Sequence, residues 1–165
     1  MPKEPLIVNG WLLLYDPCFL EEIEKLSDEV SRMASSQPET FKSHSAIKRL
    51  QAILHLTETV IPANPASPEF RLGNALGSSN KNWFRAKFFQ QYRLFFRFDS
   101  TAKIIIYAWV NDSKTLRAYE SKTDAYVVFR KMLEKGHPPK GWVQLLERTQ
   151  AIEPKRVRNQ SANLL

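Results

Sequence analysis

The chain has 165 residues, of which 43% are hydrophobic and 12% aromatic, and its net charge is +7. This apolar content is enough for one domain with its own core. Its one cysteine, Cys18, cannot form an internal disulfide, and no apolar run approaches the roughly 20 residues that cross a bilayer. We therefore expect a cytoplasmic protein, not a membrane protein, with a single domain over residues 1–150 and a loosely ordered basic tail over residues 151–165.

The positive charge lies in the second half of the chain. Residues 1–70 hold 6 Lys and Arg against 10 Asp and Glu, whereas residues 71–165 hold 18 against 7. Clustered cations gain free energy by releasing counterions from phosphates, so this asymmetry favours a surface that binds a polyanion. Lysines spread over the surface for solubility would give the same count.

The first half predicts a strand and two helices. Residues 8–15 form an apolar run that we interpret as a strand. Asp16 and Pro17 suit the N-cap and first position of a helix over residues 17–35, whose apolar residues recur every three or four positions. A second apolar stripe, from Ile47 to Ile61, predicts a helix that ends before Pro62.

Three strands are predicted after a connector over residues 62–82. Apolar even-numbered residues alternate with cations over 84–88 and 92–98, and residues 104–110 are apolar throughout, which is typical of a central strand. If the even-numbered residues face the core, Lys87 pairs with Arg93 and Arg85 with Phe95. This register requires a loop with an odd number of residues, or a bulge, around residues 89–91.

The predicted register gathers cations on one face of the sheet, away from the core. Arg85, Lys87, Arg93 and Arg97 share this face with Trp83 and Phe95. Like charges opposite one another cost up to about 1 kcal/mol, which a bound polyanion would offset. Carboxylates folding over the face would offset it equally, with Asp112, Glu120 and Asp124 as the candidates.

Beyond the sheet, Ser121 or Thr123 and Asp124 can cap a helix that ends at Gly136, and residues 141–150 predict a last short helix.

Other catalytic arrangements have little support. His44 and His55 have no partners at metal-ligand spacing, the glycine-rich nucleotide and GxSxG motifs are absent, and Cys18 fits a buried thiol better than a nucleophile.

A series of short motifs resembles one toxin family. WFRAK and YRLFFRF, then an apolar strand, then a helix with a tyrosine in its first turn resemble the RelE superfamily of bacterial ribonuclease toxins. Seven motifs in order resemble its YhaV branch: VNGW at 8–11, PCF at 17–19, WFRAKF at 83–88, YRLFFRF at 92–98, WVND at 109–112, KTDAY at 122–126 and KMLEKGHPP at 131–139.

The resemblance implies an α+β fold with a small twisted, mainly antiparallel sheet packed against an N-terminal helical hairpin, and a C-terminal helix. It also implies a metal-independent endoribonuclease without cofactors, which cuts mRNA, on the ribosome in many relatives, by attack of a ribose 2′-OH on the adjacent phosphate. Its partners would be a PrlF-like antitoxin of the swapped-hairpin, AbrB type and, through that complex, operator DNA.

The motifs carry the family's site residues onto this chain. Arg85, Lys87 and Arg93 match the basic positions of the two hairpin strands, and Tyr126 matches the tyrosine of the last helix. Lys87 or Tyr126 would transfer protons, with Arg85 and Arg93 stabilising charge on the phosphate. The candidates for RNA contacts are Trp83, Arg97, Arg117, Lys122 and His137.

Three questions stay open at this point. Arg117 and Lys122 compete for the family's further basic position. His137 fits an acid or base, but also a histidine packed at a helix end. A protein that holds RNA or the ribosome without cutting, or a pure protein-interaction module, would require a similar surface.

Overall fold

A computed structural model describes residues 6–150, and its core is one five-stranded sheet with helices on both faces. The predicted tail, residues 151–165, lies outside the described residues. The strands are β1 (Ile7–Val8), β2 (Trp11–Tyr15), β3 (Phe84–Phe88), β4 (Tyr92–Asp99) and β5 (Ile104–Val110). The helices are α1 (Pro17–Ser36), α2 (Ser45–His55), α3 (Ile61–Ala63), α4 (Ala125–Glu134) and α5 (Trp142–Gln150).

The sheet has the strand order β1, β2, β5, β4, β3. The pair of β2 and β5 is parallel and the other pairs are antiparallel. The apolar strand β5 therefore lies at the centre, as its sequence predicted, and β3 is an edge strand. The expectation of an α+β fold with a mainly antiparallel sheet is confirmed.

The predicted register of the β3 and β4 hairpin is also confirmed. Lys87 lies opposite Arg93 and Arg85 opposite Phe95, and the pair of Phe88 and Tyr92 leaves a loop of three residues, 89–91. Phe89 and Gln90 take left-handed backbone angles there, with φ of 46° and 63°. Such angles are strained for a bulky residue like Phe89, so the loop conformation is held by its surroundings.

Two predictions about the first half are wrong. Residues 8–15 do not form one strand, because Asn9 and Gly10, with φ of 51° and 81°, turn the chain between β1 and β2. The second helical segment does not end before Pro62. A π-helical turn over Leu56–Val60 follows α2, and α3 then includes Pro62. Proline lacks an N–H, and helices pass such residues where a wider turn relieves the hydrogen-bond pattern.

Helices α1 and α2 cover one face of the sheet. Asp16 caps α1 by accepting a hydrogen bond from the Cys18 amide at 2.8 Å. The apolar stripe of α1 buries Phe19 and Ile23, and α2 buries Ile47 and Leu50 against the even-numbered side of β4, including Phe96. The sheet thus has the helical hairpin that the resemblance implied.

The opposite face is covered as well, and this corrects the expectation that the cations lie on a face away from the core. Trp83 and Phe95 are fully buried there. The ring of Phe129 from α4 stacks on Phe95 at 4.2 Å and meets Trp83 edge-on at 5.2 Å. Large aromatic residues occupy odd-numbered positions together with the cations, and burying them requires a helix on that side.

No helix within residues 6–150 is both long and apolar enough to cross a membrane.

Helix α5 is held to the start of α1 by an ion pair, because Arg148 approaches the buried Asp16 carboxylate at 3.1 Å. The same guanidinium lies 3.6 Å from the Cys18 sulfur. Burial, and then the Asp16 charge, raise the pKa of the Cys18 thiol to about 12.

Cys18 should therefore react slowly with alkylating reagents in the folded protein. Since the thiolate is the reacting species, its fraction at pH 8 should be about 1000-fold below that of an ordinary thiol of pKa 9.0. Mass spectrometry of iodoacetamide labelling, with and without urea, measures both rates. Similar rates in the two conditions would contradict the partial burial of this thiol and its raised pKa.

Candidate active site

The hydroxyl of Tyr126 lies where β3, β4 and the start of α4 meet. Arg85 from β3 and Arg93 from β4 each donate a hydrogen bond from Nε to this oxygen, both at 3.0 Å. The alternation of the two strands brings both side chains to the same face. Asp124 caps α4 and so places Tyr126 in its first turn, as the sequence predicted.

Backbone carbonyl groups fix both guanidinium groups. Arg85 donates from Nη1 to the carbonyl oxygens of Glu69 at 3.0 Å and Arg71 at 2.7 Å, both in the connector before β3. Arg93 donates from Nη1 to the carbonyls of Gln90 and Tyr92. Within the described residues the Nη2 groups of both arginines make no hydrogen bond, so each keeps donors for a ligand.

Arg117 also joins this site, whereas Lys122 does not. The Arg117 guanidinium lies 5.0 Å from the centre of the Tyr126 ring and 2.7 Å from Asp124 Oδ1. Lys122 is exposed and contacts none of these groups. We call Arg85, Lys87, Arg93 and Arg117 around Tyr126 the cationic cluster.

Carboxylates leave most of this charge unneutralised. Of the three acidic candidates named from the sequence, Asp124 pairs with Arg117, while Asp112 accepts hydrogen bonds from Lys114 N and the Thr115 hydroxyl. Among the described residues, no carboxylate forms an ion pair with Arg85, Lys87 or Arg93. Because Arg93 is only 7% exposed, water compensates little of its charge, and an anion would be bound favourably here.

Lys87 is the exposed member of the cluster. It lies directly opposite Arg93 and two residues from Arg85 on β3. Its position on the edge strand leaves the ammonium group open to solvent and to a ligand approaching Tyr126.

The Tyr126 hydroxyl is arranged to donate its proton outward. Its oxygen already accepts hydrogen bonds from two guanidinium groups, and a hydroxyl has two acceptor positions and one donor. The ring is held edge-on by Phe95 at 5.7 Å and is 8% exposed. The remaining O–H is thus available to a group bound beside the cations.

Asn111, which was not among the predicted site residues, connects two loops of the site. Its Oδ1 accepts from the Arg93 amide at 2.7 Å, and its Nδ2 donates to the carbonyls of Gln91 and Thr115. Arg117 N donates to the same Gln91 carbonyl at 2.8 Å. The signal in the sequence was a polar residue directly after an apolar central strand.

The other candidate RNA contacts lie apart from the cluster. Trp83 is fully buried, so its ring cannot stack on a base, and Arg97 packs over the rings of Trp83 and Trp142 at 5.4 and 5.5 Å. Burial lowers the pKa of Arg97. His137 is exposed, and its Nδ1 lies 3.0 Å from Arg148 Nη1 near the end of α4.

These observations define a small α+β protein with a cationic site centred on a tyrosine, a site suited to binding phosphate and moving a proton. Comparison with known proteins gives its family. The model of the Toxin_YhaV family, described as a toxin with endonuclease activity of a toxin-antitoxin system, matches residues 13–150.

Two relatives are 47% identical to the chain over 148 residues, which cover 88% of this chain and 96% of theirs. They are Toxin YhaV of Escherichia coli O6:H1 and Ribonuclease toxin YhaV of Escherichia coli K12. No solved structure matches the chain significantly. The chain belongs to the YhaV toxin family, so it is a toxin with endonuclease activity from a toxin-antitoxin system, and the resemblance seen in its motifs is confirmed.

Asp124 should be the main support of the site on the α4 side. Its side chain accepts from Arg117, from Ala118 N and from the Tyr126 amide. Asp124→Ala removes a helix cap and one partner of a partly buried ion pair, so we expect a loss of about 2–3 kcal/mol in the free energy of unfolding, measured in urea. The control, Glu134→Ala, changes an exposed residue of the same helix and should cost under about 0.5 kcal/mol. Equal losses in both variants would contradict this role.

Proposed function

We propose that the protein is an endoribonuclease that cuts mRNA by attack of a ribose 2′-OH on the adjacent phosphate, within the cationic cluster and without a metal ion. The observation that carries the proposal is the convergence of Arg85 and Arg93 on the Tyr126 hydroxyl, with no carboxylate of the described chain paired to either. The printed name of the Escherichia coli K12 relative, a ribonuclease toxin, supports RNA as the substrate.

The scissile phosphate would bind beside Tyr126. The pentavalent transition state carries additional negative charge. The positive charge that stabilises it comes from the Nη2 groups of Arg85 and Arg93 and from the ammonium of Lys87. Both arginines are already held by backbone carbonyls, so little reorganisation is required during the reaction. Cleavage should persist with a chelator in the reaction, because side chains supply this charge.

Tyr126 would protonate the leaving group. As the 2′-oxygen loses its proton to solvent water and forms its bond to phosphorus, the bond from phosphorus to the 5′-oxygen breaks, and that oxygen takes the Tyr126 proton. Tyr126 then regains a proton from solvent. Two guanidinium N–H groups point at the phenol oxygen that then carries negative charge. The products are a 2′,3′-cyclic phosphate and a 5′-hydroxyl end.

This arrangement favours cutting over the second candidate, an RNA-binding inhibitor that does not cut. A surface that only binds RNA requires exposed cations. Here the guanidinium groups of Arg85 and Arg93 instead orient the Tyr126 hydroxyl. Membership of the family implies an antitoxin partner. A PrlF-like antitoxin, action on the ribosome and operator binding through the antitoxin complex are further parts of the proposal, supported by the motif resemblance.

Tyr126→Phe should reduce cleavage about 100-fold or more, because it removes the proton donor and keeps the ring packed on Phe95. The measurement is the single-turnover rate on an RNA oligonucleotide, with products identified by their cyclic phosphate ends. Tyr119→Phe, at a tyrosine that is 82% exposed, is the matched control and should retain full activity.

Two results would overturn the proposed mechanism, the first for the role of Tyr126 and the second for attack by the 2′-OH. One is a Tyr126→Phe protein that cuts at the rate of the unchanged protein. The other is cleavage of an oligonucleotide with a 2′-deoxyribose at the cut, since that sugar lacks the attacking hydroxyl. Growth arrest without new RNA 5′ ends on induction of the toxin would instead favour the inhibitor that does not cut.

Lys87 should act through its charge. Lys87→Arg keeps the positive charge, so we expect its cleavage rate to stay within about 5-fold of that of the unchanged protein. Lys87→Ala removes the charge and should lower the cleavage rate about 10-fold to 100-fold. Because arginine cannot readily accept a proton, the two variants together separate a role of charge from a role in proton transfer. Position 87 is exposed, so neither substitution should affect the fold. A Lys87→Arg protein as inactive as Lys87→Ala would show that Lys87 transfers the proton instead.

A further inference from the structure

A pocket lies at the outer edge of β3, next to the cationic cluster. It has a volume of about 450 Å³ and is lined by Leu56, Val60, Glu69, Phe70, Ala86 and Lys87. Its walls come from the π-helical turn Leu56–Val60, from the 3₁₀ turn Pro68–Phe70 and from β3. We call it the edge pocket.

Two contacts join the edge pocket to the cluster. Lys87 lines the pocket and belongs to the cluster. The carbonyl of Glu69 accepts the hydrogen bond from Arg85 Nη1 at 3.0 Å, so the backbone that carries Glu69 is fixed to a phosphate-binding arginine. A nucleotide whose phosphate lies at Tyr126 can therefore direct its base around the edge of β3.

The lining fits a nucleobase. Leu56 and Val60 are partly exposed and give an apolar surface for a flat face of a base, while Phe70, which is only 4% exposed, completes the apolar lining. Beyond the bridge between Arg71 and Phe84, no strand of the described chain pairs with the outer side of β3, which leaves backbone groups for hydrogen bonds.

Glu69 gives the pocket a chemical preference. It is the one acidic residue in the lining, and it forms no ion pair within the described residues. A carboxylate accepts hydrogen bonds, and guanine is the RNA base with two adjacent N–H donors on its Watson–Crick edge. Carboxylates read base donors in this way, and a wrong base costs about 10-fold to 100-fold in binding.

We propose that the edge pocket holds a guanine base next to the cleaved phosphate, read by the Glu69 carboxylate, and so determines where the toxin cuts. The inference rests on the proposed ribonuclease function, since it requires the phosphate at Tyr126. It assigns to this pocket a specificity that the cationic cluster cannot supply, because phosphate contacts carry no sequence information.

The test uses the full chain and a pool of RNA oligonucleotides with every base at the positions on each side of one cut. The preference is the ratio of cleavage rates with guanine and with the other bases, read from mapped 5′ ends. We expect a preference of about 10-fold or more for guanine on one side, reduced to about 3-fold or less by Glu69→Gln. Glu69→Gln keeps the backbone carbonyl that Arg85 requires, and Glu147→Gln on α5 is the matched control.

A second variant tests the pocket without changing charge. Val60→Trp fills the apolar space and should remove the preference and raise KM, whereas Val143→Trp, at an exposed position of α5, should change neither. Thermal unfolding of each variant checks that it is folded, and Glu69→Gln provides the same test at an exposed residue.

The outcomes separate this inference from the proposed function. Cleavage by the unchanged protein with a preference that survives both variants would overturn the edge pocket and leave the ribonuclease function standing. Absence of cleavage by the unchanged protein would overturn both. If Val60→Trp weakens binding of the antitoxin while the base preference is unchanged, the pocket serves the protein partner and the inference is wrong.

Discussion

The hydrogen bonds from Arg85 and Arg93 to the Tyr126 hydroxyl are the interaction on which the site depends. They require β3 and β4 to pair in one register, and α4 to lie across the face that carries both arginines. A shift by one residue would turn the arginines to the other face. The packing of Phe129 on Phe95 holds the helix in this place, so the aromatic core beneath the helix also positions the site.

The odd-numbered face of β3 and β4 serves two physical purposes. Trp83 and Phe95 supply apolar area that stabilises the docking of α4, while the cations between them meet the polar start of that helix. Burial of Arg93 costs free energy, which hydrogen bonds to two carbonyls and one hydroxyl partly compensate. In the proposed mechanism, this burial holds the donors for a phosphate in a rigid arrangement.

Much of this arrangement was predictable from local patterns. Period-two alternation determined the register, and the side chains of Asp16 and Asp124 marked the starts of α1 and α4. Periodicity does not show how many faces of a sheet are covered, and so the burial of Trp83 was missed. The prediction that the second helical segment ends before Pro62 was wrong because a π-helical turn has no clear sequence signature. The choice between Arg117 and Lys122 depended on the hydrogen bond from Arg117 N to the distant Gln91 carbonyl and on the ion pair of Arg117 with Asp124, neither of which periodicity shows.

The connector before β3 shows how the fold extends the site beyond the motifs. Its carbonyls at Glu69 and Arg71 hold Arg85, and its short 3₁₀ turn closes the edge pocket. In the proposed mechanism the cations contact only the phosphate, which is the same at every position of an RNA. Discrimination between sequences would then come from surfaces that reach the bases, and the connector, which contacts Arg85, lines the pocket proposed for one base. If the proposed pocket binds one base, that single contact is enough to select the cutting sites.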